Sequence, residues 1–325
     1  MRYFTWAGLT GSVLGFGCGS MLGRVGRADS LRAMGQAWDH GVTVFDVAPS
    51  YGFGEAEALL GTFLSGRREQ ALVVTKFGQA PRPAAHRLTA FKPAVRALLR
   101  LVPRARSAVR RVAASHSPPA FAASLVRPSV EASLRALRAD YIDVLLLHGP
   151  TPEAIEDDAL RAELAALVDD GLVRATGFSG PADLIDHDDE TFQRMQVVQT
   201  NVNPFNQQAL RVARSSDRLF IANHLFGGVD GLARTRSVLK TLAPHLPADV
   251  QTLLTEPDDR TLAEVVLGMA LTDTGVSVAV PSMMTPAHIA ANVSAVTDPR
   301  LSAEHVATIR ALFDERSVVE ARELE

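Results

Sequence analysis

Four side chains in this sequence, taken together, could move a proton to or from an oxygen atom: the acid Asp46, the phenol Tyr51, the amine Lys76 and the imidazole His148. An oxygen on which negative charge is building needs a proton donor within hydrogen-bond reach, a part Tyr51 can play. A free tyrosine, with a pKa of about 10, is a weak acid at neutral pH. An ammonium such as Lys76 beside it favours the phenolate and lowers that pKa, while a carboxylate such as Asp46 keeps the ammonium charged and in place. His148 can donate a hydrogen bond to the same oxygen and orient it. Unless the four converge, they mean no more than a buried ion pair with two bystanders.

The pattern around each residue says what would bring them together. Val42 and Val44 alternate with polar neighbours as a short strand ending at Asp46, and Pro49, Ser50, Gly52 and Gly54 mark a tight loop that carries Tyr51. Leu59, Leu60, Phe63 and Leu64 then recur at helical spacing, so a packed helix holds the loop from behind. Leu72 to Lys76 and Ile142 to His148 are apolar runs of the kind that buried parallel strands show, and each ends on one of the ionisable residues. Chemistry at strand C-terminal ends is the habit of α/β barrels.

Further strands are expected at Val13–Gly17, Val173–Phe178, Gln196–Asn201, Leu219–Asn223 and Val276–Val280, which makes eight. Between them, Asp29 and Ser30 are placed to cap a helix with Leu31, Met34 and Trp38 on one face. Pro128–Leu137 and Asp157–Asp170 read as two more helices, and Thr261 with Glu264 makes a capping-box pattern. Alternating strands and helices imply a parallel sheet, and eight such units imply closure. The expected architecture is therefore α/β, a (β/α)8 TIM barrel forming one domain over residues 1–325, with an N-terminal capping hairpin. An open doubly wound sheet is the alternative, but no G-x-G-x-x-G follows the first strand. A basic insertion is expected after strand three, at about residues 79–126. Residues 79–130 hold ten basic side chains and no acidic one, and a short helix fits near Val95–Leu101. It reads either as a solvated excursion or as a lid whose charge attracts an anionic substrate or cofactor.

With 325 residues, 47% hydrophobic and 21% charged, the chain can bury a sizeable core. Its 33 basic and 36 acidic residues give a net charge of −3, so neither nucleic acid nor an anionic membrane is expected as a partner. Cys18 is the single cysteine, which excludes an intrachain disulfide and suits a small buried side chain. The apolar first 22 residues carry one positive charge and are broken by five glycines, which argues against a signal peptide and for a cytoplasmic protein. No metal site is expected, because the nine histidines include no H-x-x-H or H-E-x-x-H spacing. Asp143 reads as structural, and Glu55 and Glu57 as first-turn residues that suit the helix dipole.

In this order, the segments FDVAPSYGFGEAEALLG, VVTKFG, RPSVEASLRALRADYIDVLLLHGP and RATGFSG resemble the aldo-keto reductase superfamily, over roughly residues 10–295. The resemblance implies a barrel that binds a nicotinamide cofactor without a Rossmann motif, and a catalytic tetrad falling on Asp46, Tyr51, Lys76 and His148. It further implies that Ser179 and Gln199 hold the nicotinamide carboxamide. The residue that stacks on the nicotinamide is then Asn223, or His224 one position on. The glycine turn from Leu225 to Gly228, Gly227 included, would bring backbone amides to the pyrophosphate. The segment VPSMMTPAHIAAN places Ser282, His288 and Asn292 around the rest of the cofactor. Three departures stand out: Gly180 where the family has asparagine, Asn223 where it has an aromatic ring, and Ser282 with His288 where NADPH-using members carry Lys and Arg. The expected function is an NAD(P)H-dependent oxidoreductase acting on a small-molecule carbonyl or alcohol, with NADPH as cofactor and NADH possible. A catalytically silent cofactor-binding or regulatory barrel is the alternative. Monomer is the default that the resemblance implies.

Overall fold

Each apolar run expected as a strand becomes one, because its Val, Ile and Leu side chains are covered on both faces. A computed structural model describes residues 1–23, 25–79, 120–181, 184, 195–214, 217–228 and 230–322. Strands β1 (Tyr3–Trp6) and β2 (Leu9–Ser12) pair antiparallel as a hairpin. Strands β3 (Gly15–Gly17), β4 (Val44–Asp46), β5 (Leu72–Phe77), β6 (Ile142–His148), β7 (Val173–Ser179), β8 (Val197–Asn201), β9 (Leu219–Asn223) and β10 (Val278–Ala279) follow in sequence order as one parallel sheet. A parallel bridge between Leu14 and Ala279, with backbone bonds from Ala279 to Val13 and from Gly17 to Pro281, brings the two edges together. The result is the expected (β/α)8 barrel. Leu9, Phe4 and Trp6 of the hairpin pack onto its interior cluster.

Among the described residues the helices are α1 (Arg27–Asp39), α2 (Ala56–Phe63), α3 (Ala123–Leu137), α4 (Pro152–Glu156), α5 (Asp158–Asp169), α6 (Gln208–Ala213), α7 (Gly231–Leu242), α8 (Ala248–Thr255), α9 (Asp259–Leu271), α10 (Pro286–Thr297) and α11 (Ala303–Arg322). Phe45 fixes the first two against β4, with its ring 6.3 Å from Trp38 of α1 and 5.7 Å from Phe63 of α2. Such pairs add about 0.5–1.5 kcal/mol each beyond the area they bury. None of the helices among the described residues is long and apolar enough to cross a membrane.

Alternation along the strands decides which residues reach the mouth. Val44, Leu72, Val74, Val144, Leu146, Ala175, Val197, Leu219, Ile221 and Val278 fill the barrel interior, while Phe45, Val73, Leu145, Leu147, Val198 and Phe220 join the layer beneath the helices. Carried on by twos, the inward set ends at Asp46, Lys76, His148, Ser179, Gln199, Asn201 and Asn223. Gly177 lies in the same inward set, where β7 and β8 approach so closely that a Cβ would stand 1.8 Å from the Val197 carbonyl oxygen.

Several helix starts differ from expectation, each for a local reason. In α1 the N-cap is Gly26, and Ser30 turns its hydroxyl back to the Gly26 carbonyl at 2.9 Å instead of capping. Helix α3 begins at Ala123, ahead of Pro128, and carries that proline inside it at the loss of one backbone donor. Thr261 and Glu264 form no capping box: Asp258 caps α9 by accepting the Thr261 amide at 2.7 Å, and Glu264 is buried against Arg260 and Arg300. Residues 80–119, with the short helix expected at Val95–Leu101, lie outside the described residues, and the last stretch assigned to the insertion, 123–126, belongs to α3.

Candidate active site

After Asp46 the chain must leave the sheet and turn back into α2. It does so through Tyr51–Gly54, a tight turn in which Gly52 and Phe53 are left-handed, with φ of 60° and 62°. A Cβ on Gly52 would meet Leu22 and Ala56 at 3.1–3.2 Å, so glycine answers both the backbone and the space there. Phe53 has a Cβ and adopts the same conformation, a strain of about 1–3 kcal/mol that the surrounding packing holds in place.

The expected four residues meet at the mouth. Lys76, 1% exposed, donates to Asp46 Oδ1 at 2.6 Å and to the Val47 carbonyl at 3.1 Å. Its Nζ lies 5.0 Å from the centroid of the half-buried Tyr51 ring. That ring meets His148 edge-on, with centroids 6.0 Å apart at 85°. Gln199 Nε2 donates to the same Asp46 oxygen at 2.8 Å, and the Ser179 hydroxyl donates to Gln199 Oε1 at 2.7 Å. An unbroken polar chain therefore runs from β7 through β8 and β4 to β5.

Burial and charge compete over these groups. Burial pulls the Lys76 pKa down, but Asp46 and Tyr51 more than offset this and hold it above the ordinary lysine value, so the ammonium persists. For Tyr51 the balance goes the other way. Burial raises its pKa, the nearby Lys76 lowers it, and burial wins. The expectation that Lys76 brings the phenol below its ordinary pKa is thus corrected: the lysine only limits the rise. Cys18 is buried beside them, and its thiol is pushed up by burial and by Asp46, which keeps it neutral and inert.

The residues expected around a cofactor lie at the ends of β7, β8 and β9, in the turn after β9, and after β10. Ser179 neighbours His148 in register, and Asn201 neighbours Asn223. Asn223 Oδ1 is buried with no hydrogen-bond partner among the described residues. His224 is left-handed at φ 48°, Leu225 is buried, and Gly227 and Gly228 form an open turn at φ 66° and 84°. Ser282 bonds the Ser20 hydroxyl at 2.9 Å, and Asn292 is buried on α10. His288 is exposed on the first turn of that helix, where Thr285 accepts its amide. Two features escaped the sequence reading. Asn201 could have been found by counting two residues on from Gln199 along β8. Glu57 stands in the first turn of α2 as expected, and its burial there is the part that the sequence did not show. Asp143 is structural as expected: it accepts the Val73 amide at 2.9 Å, with Arg68 at 2.7 Å and Arg174 at 3.3 Å.

A model of the aldo/keto reductase family matches residues 13–314, nearly the whole chain. The chain belongs to that family. Among curated relatives, aldo-keto reductase YhdN of Bacillus subtilis is 30% identical over 206 residues, covering 61% of this chain and 51% of that protein. A D-threo-aldose 1-dehydrogenase from a Pseudomonas species is 30% identical over 184 residues, covering 53% of this chain and 50% of that protein. The chain spans about half the length of these curated relatives. The holo form of an aldo-keto reductase from Bacillus halodurans matches with a TM-score of 0.70 at 21% identity over 96% of each chain, a likeness of fold. For this aldo/keto reductase family member, the polar chain of Ser179, Gln199, Asp46 and Lys76 thus stands at the C-terminal mouth, where barrels of this kind place their chemistry.

Proposed function

We propose that this protein moves a hydride between a nicotinamide cofactor and the carbonyl or alcohol carbon of a small molecule, with Tyr51 as the acid and base. The observation that carries the reading is the buried Asp46–Lys76 pair, whose ammonium lies 5.0 Å from the Tyr51 ring at the C-terminal end of the barrel strands. A structural ion pair has no need of a half-buried phenol and an imidazole beside it. The polar set suits a carboxamide: Asn223 offers a buried acceptor with no partner among the described residues, and Gln199, held by Ser179 and Asp46, still has a second Nε2 hydrogen to donate. The open turn at Gly227 and Gly228 presents backbone to a pyrophosphate. Ser179, Gln199, Asn223, His224, Leu225 and Gly227 would hold one end of the cofactor, and Ser282, His288 and Asn292 the other.

When bound, the cofactor supplies or receives the hydride. Tyr51 gives its proton to the carbonyl oxygen as negative charge grows there. Lys76 steadies the phenolate that remains, and Asp46 with the Val47 carbonyl keeps the ammonium aimed. His148, edge-on to Tyr51, orients the same oxygen. Because burial holds the Tyr51 proton above its ordinary pKa, the acid form persists through neutral pH. Reductive kcat is therefore expected to stay flat through neutrality and to fall only above about pH 10, while alcohol oxidation, which needs the phenolate, climbs with pH. A pH–rate profile checks this, and a reductive kcat already halved at about pH 8 would show a lowered phenol pKa instead.

The choice of cofactor rests on the far end of the site. Ser282 is bonded to Ser20 and His288 is exposed, so neither expected position holds a fixed cation for a 2′-phosphate. A charge-assisted contact is worth roughly 1.5–3 kcal/mol, and losing two leaves NADPH only slightly favoured over NADH. Titration of both cofactors at two salt concentrations measures the gap. A preference for NADPH above about a hundredfold, roughly 2.7 kcal/mol, would mean that another cation binds the phosphate. The asparagine at 223, where the resemblance implies a ring, favours one second reading, a barrel that binds cofactor without turnover. Tight cofactor binding with no turnover of aldehydes, ketones or aldoses would select it.

A further inference from the structure

Glu57 lies on the first turn of α2, yet it is 5% exposed and turned against β5. Thr75, fully buried, donates its hydroxyl to Glu57 Oε1 at 2.7 Å. Burial raises the pKa of this carboxyl, the Thr75 hydroxyl and that of the buried Ser133 on α3 act against the rise, and the charged side chain acting on it is Lys76. An acid in an apolar layer is a costly way to join a helix to a strand. What it joins is informative. Thr75 and Lys76 are adjacent on β5 and point to opposite faces, Thr75 outward to Glu57 and Lys76 inward to Asp46. The segment between those two acids carries Tyr51. It is thus pinned at both ends to the same two residues of β5, once through each face of the sheet.

We propose that Glu57 is a positioning residue that, through Thr75, holds the Tyr51 turn and Lys76 at their working separation. This rests on the reading of Tyr51 as the acid. Three variants test it: Glu57→Leu removes the bond without leaving a buried charge, Thr75→Val removes it from the other side, and Glu57→Gln keeps an acceptor for Thr75. Glu57→Leu and Thr75→Val are each expected to lower kcat about tenfold with KM within about twofold, as a small misplacement of reacting groups does. The double variant should be no worse than either single one, and Glu57→Gln should recover most of the loss. Amide hydrogen exchange supplies a readout that needs no substrate: exchange in the 51–54 turn should quicken in Glu57→Leu while the β6 and β7 amides stay protected. Unchanged kcat and unchanged exchange in a folded Glu57→Leu variant would overturn the proposal. So would a kcat loss that follows the folded fraction alone, or additive losses in the double variant. If instead Tyr51→Phe leaves turnover intact, the reading of the acid fails, and the exchange result still decides whether Glu57 positions the turn.

Discussion

Tyr51→Phe is expected to lower kcat at least about a thousandfold, within the range that a positioned general acid contributes. The change removes one oxygen and leaves the ring where it packs, 5.0 Å from the Lys76 nitrogen and 6.0 Å from His148. Lys76 keeps its bonds to Asp46 and to the Val47 carbonyl, so no buried charge is orphaned. Unfolding temperature should therefore stay close to that of the wild type, and the cofactor Kd should move by no more than about threefold. Steady-state kinetics, a cofactor titration and a thermal melt on the same preparation separate these effects. If the variant keeps more than about a tenth of the wild-type kcat, Tyr51 is not the proton donor and the proposed mechanism falls.

Much of this molecule could be read from its sequence because the strong signals are local. Ile142 to His148 is apolar apart from Asp143 until it ends on an ionisable residue, and the folded chain has that strand and that residue at the mouth. Counting by twos from Gln199 reaches Asn201, so even the neighbour of Asn223 lay within reach of simple alternation. What failed depends on balances that no short window contains. Ser30 and Pro128 look like helix starts, but those helices begin at Arg27, capped by Gly26, and at Ala123, with no side-chain cap to mark either start in the sequence. Glu57 looks like an ordinary acid at a helix N-terminus. Only the arrival of Thr75 and Ser133 from distant segments makes it a buried one. The net direction of the Tyr51 pKa illustrates the same limit: the lysine beside it was legible, whereas the depth at which both are buried was not.

The largest stability effect is expected from Asp46. In Asp46→Leu the ammonium of Lys76, 1% exposed, is left with the Val47 carbonyl, and Gln199 Nε2 loses its acceptor. Breaking one side of a buried pair costs about 3–5 kcal/mol, because the remaining charge stays desolvated and uncompensated. Removing both charges should cost much less, so Asp46→Leu with Lys76→Met should regain most of the stability. It should not regain activity, since Tyr51 then has no cation to steady its phenolate. The pH dependence carries a definite sign. Without Asp46, burial depresses the Lys76 pKa in the folded state while the unfolded chain keeps its ordinary value of about 10.4. The unfolded state then binds more protons, so stability of the single variant rises with pH up to that value, and its deficit against the wild type shrinks between about pH 7 and 9.5. Denaturant unfolding of the wild type and both variants across that range gives the comparison. A single-variant deficit below about 1 kcal/mol, or one that does not change with pH, would mean that Asp46 does not hold the charge on Lys76.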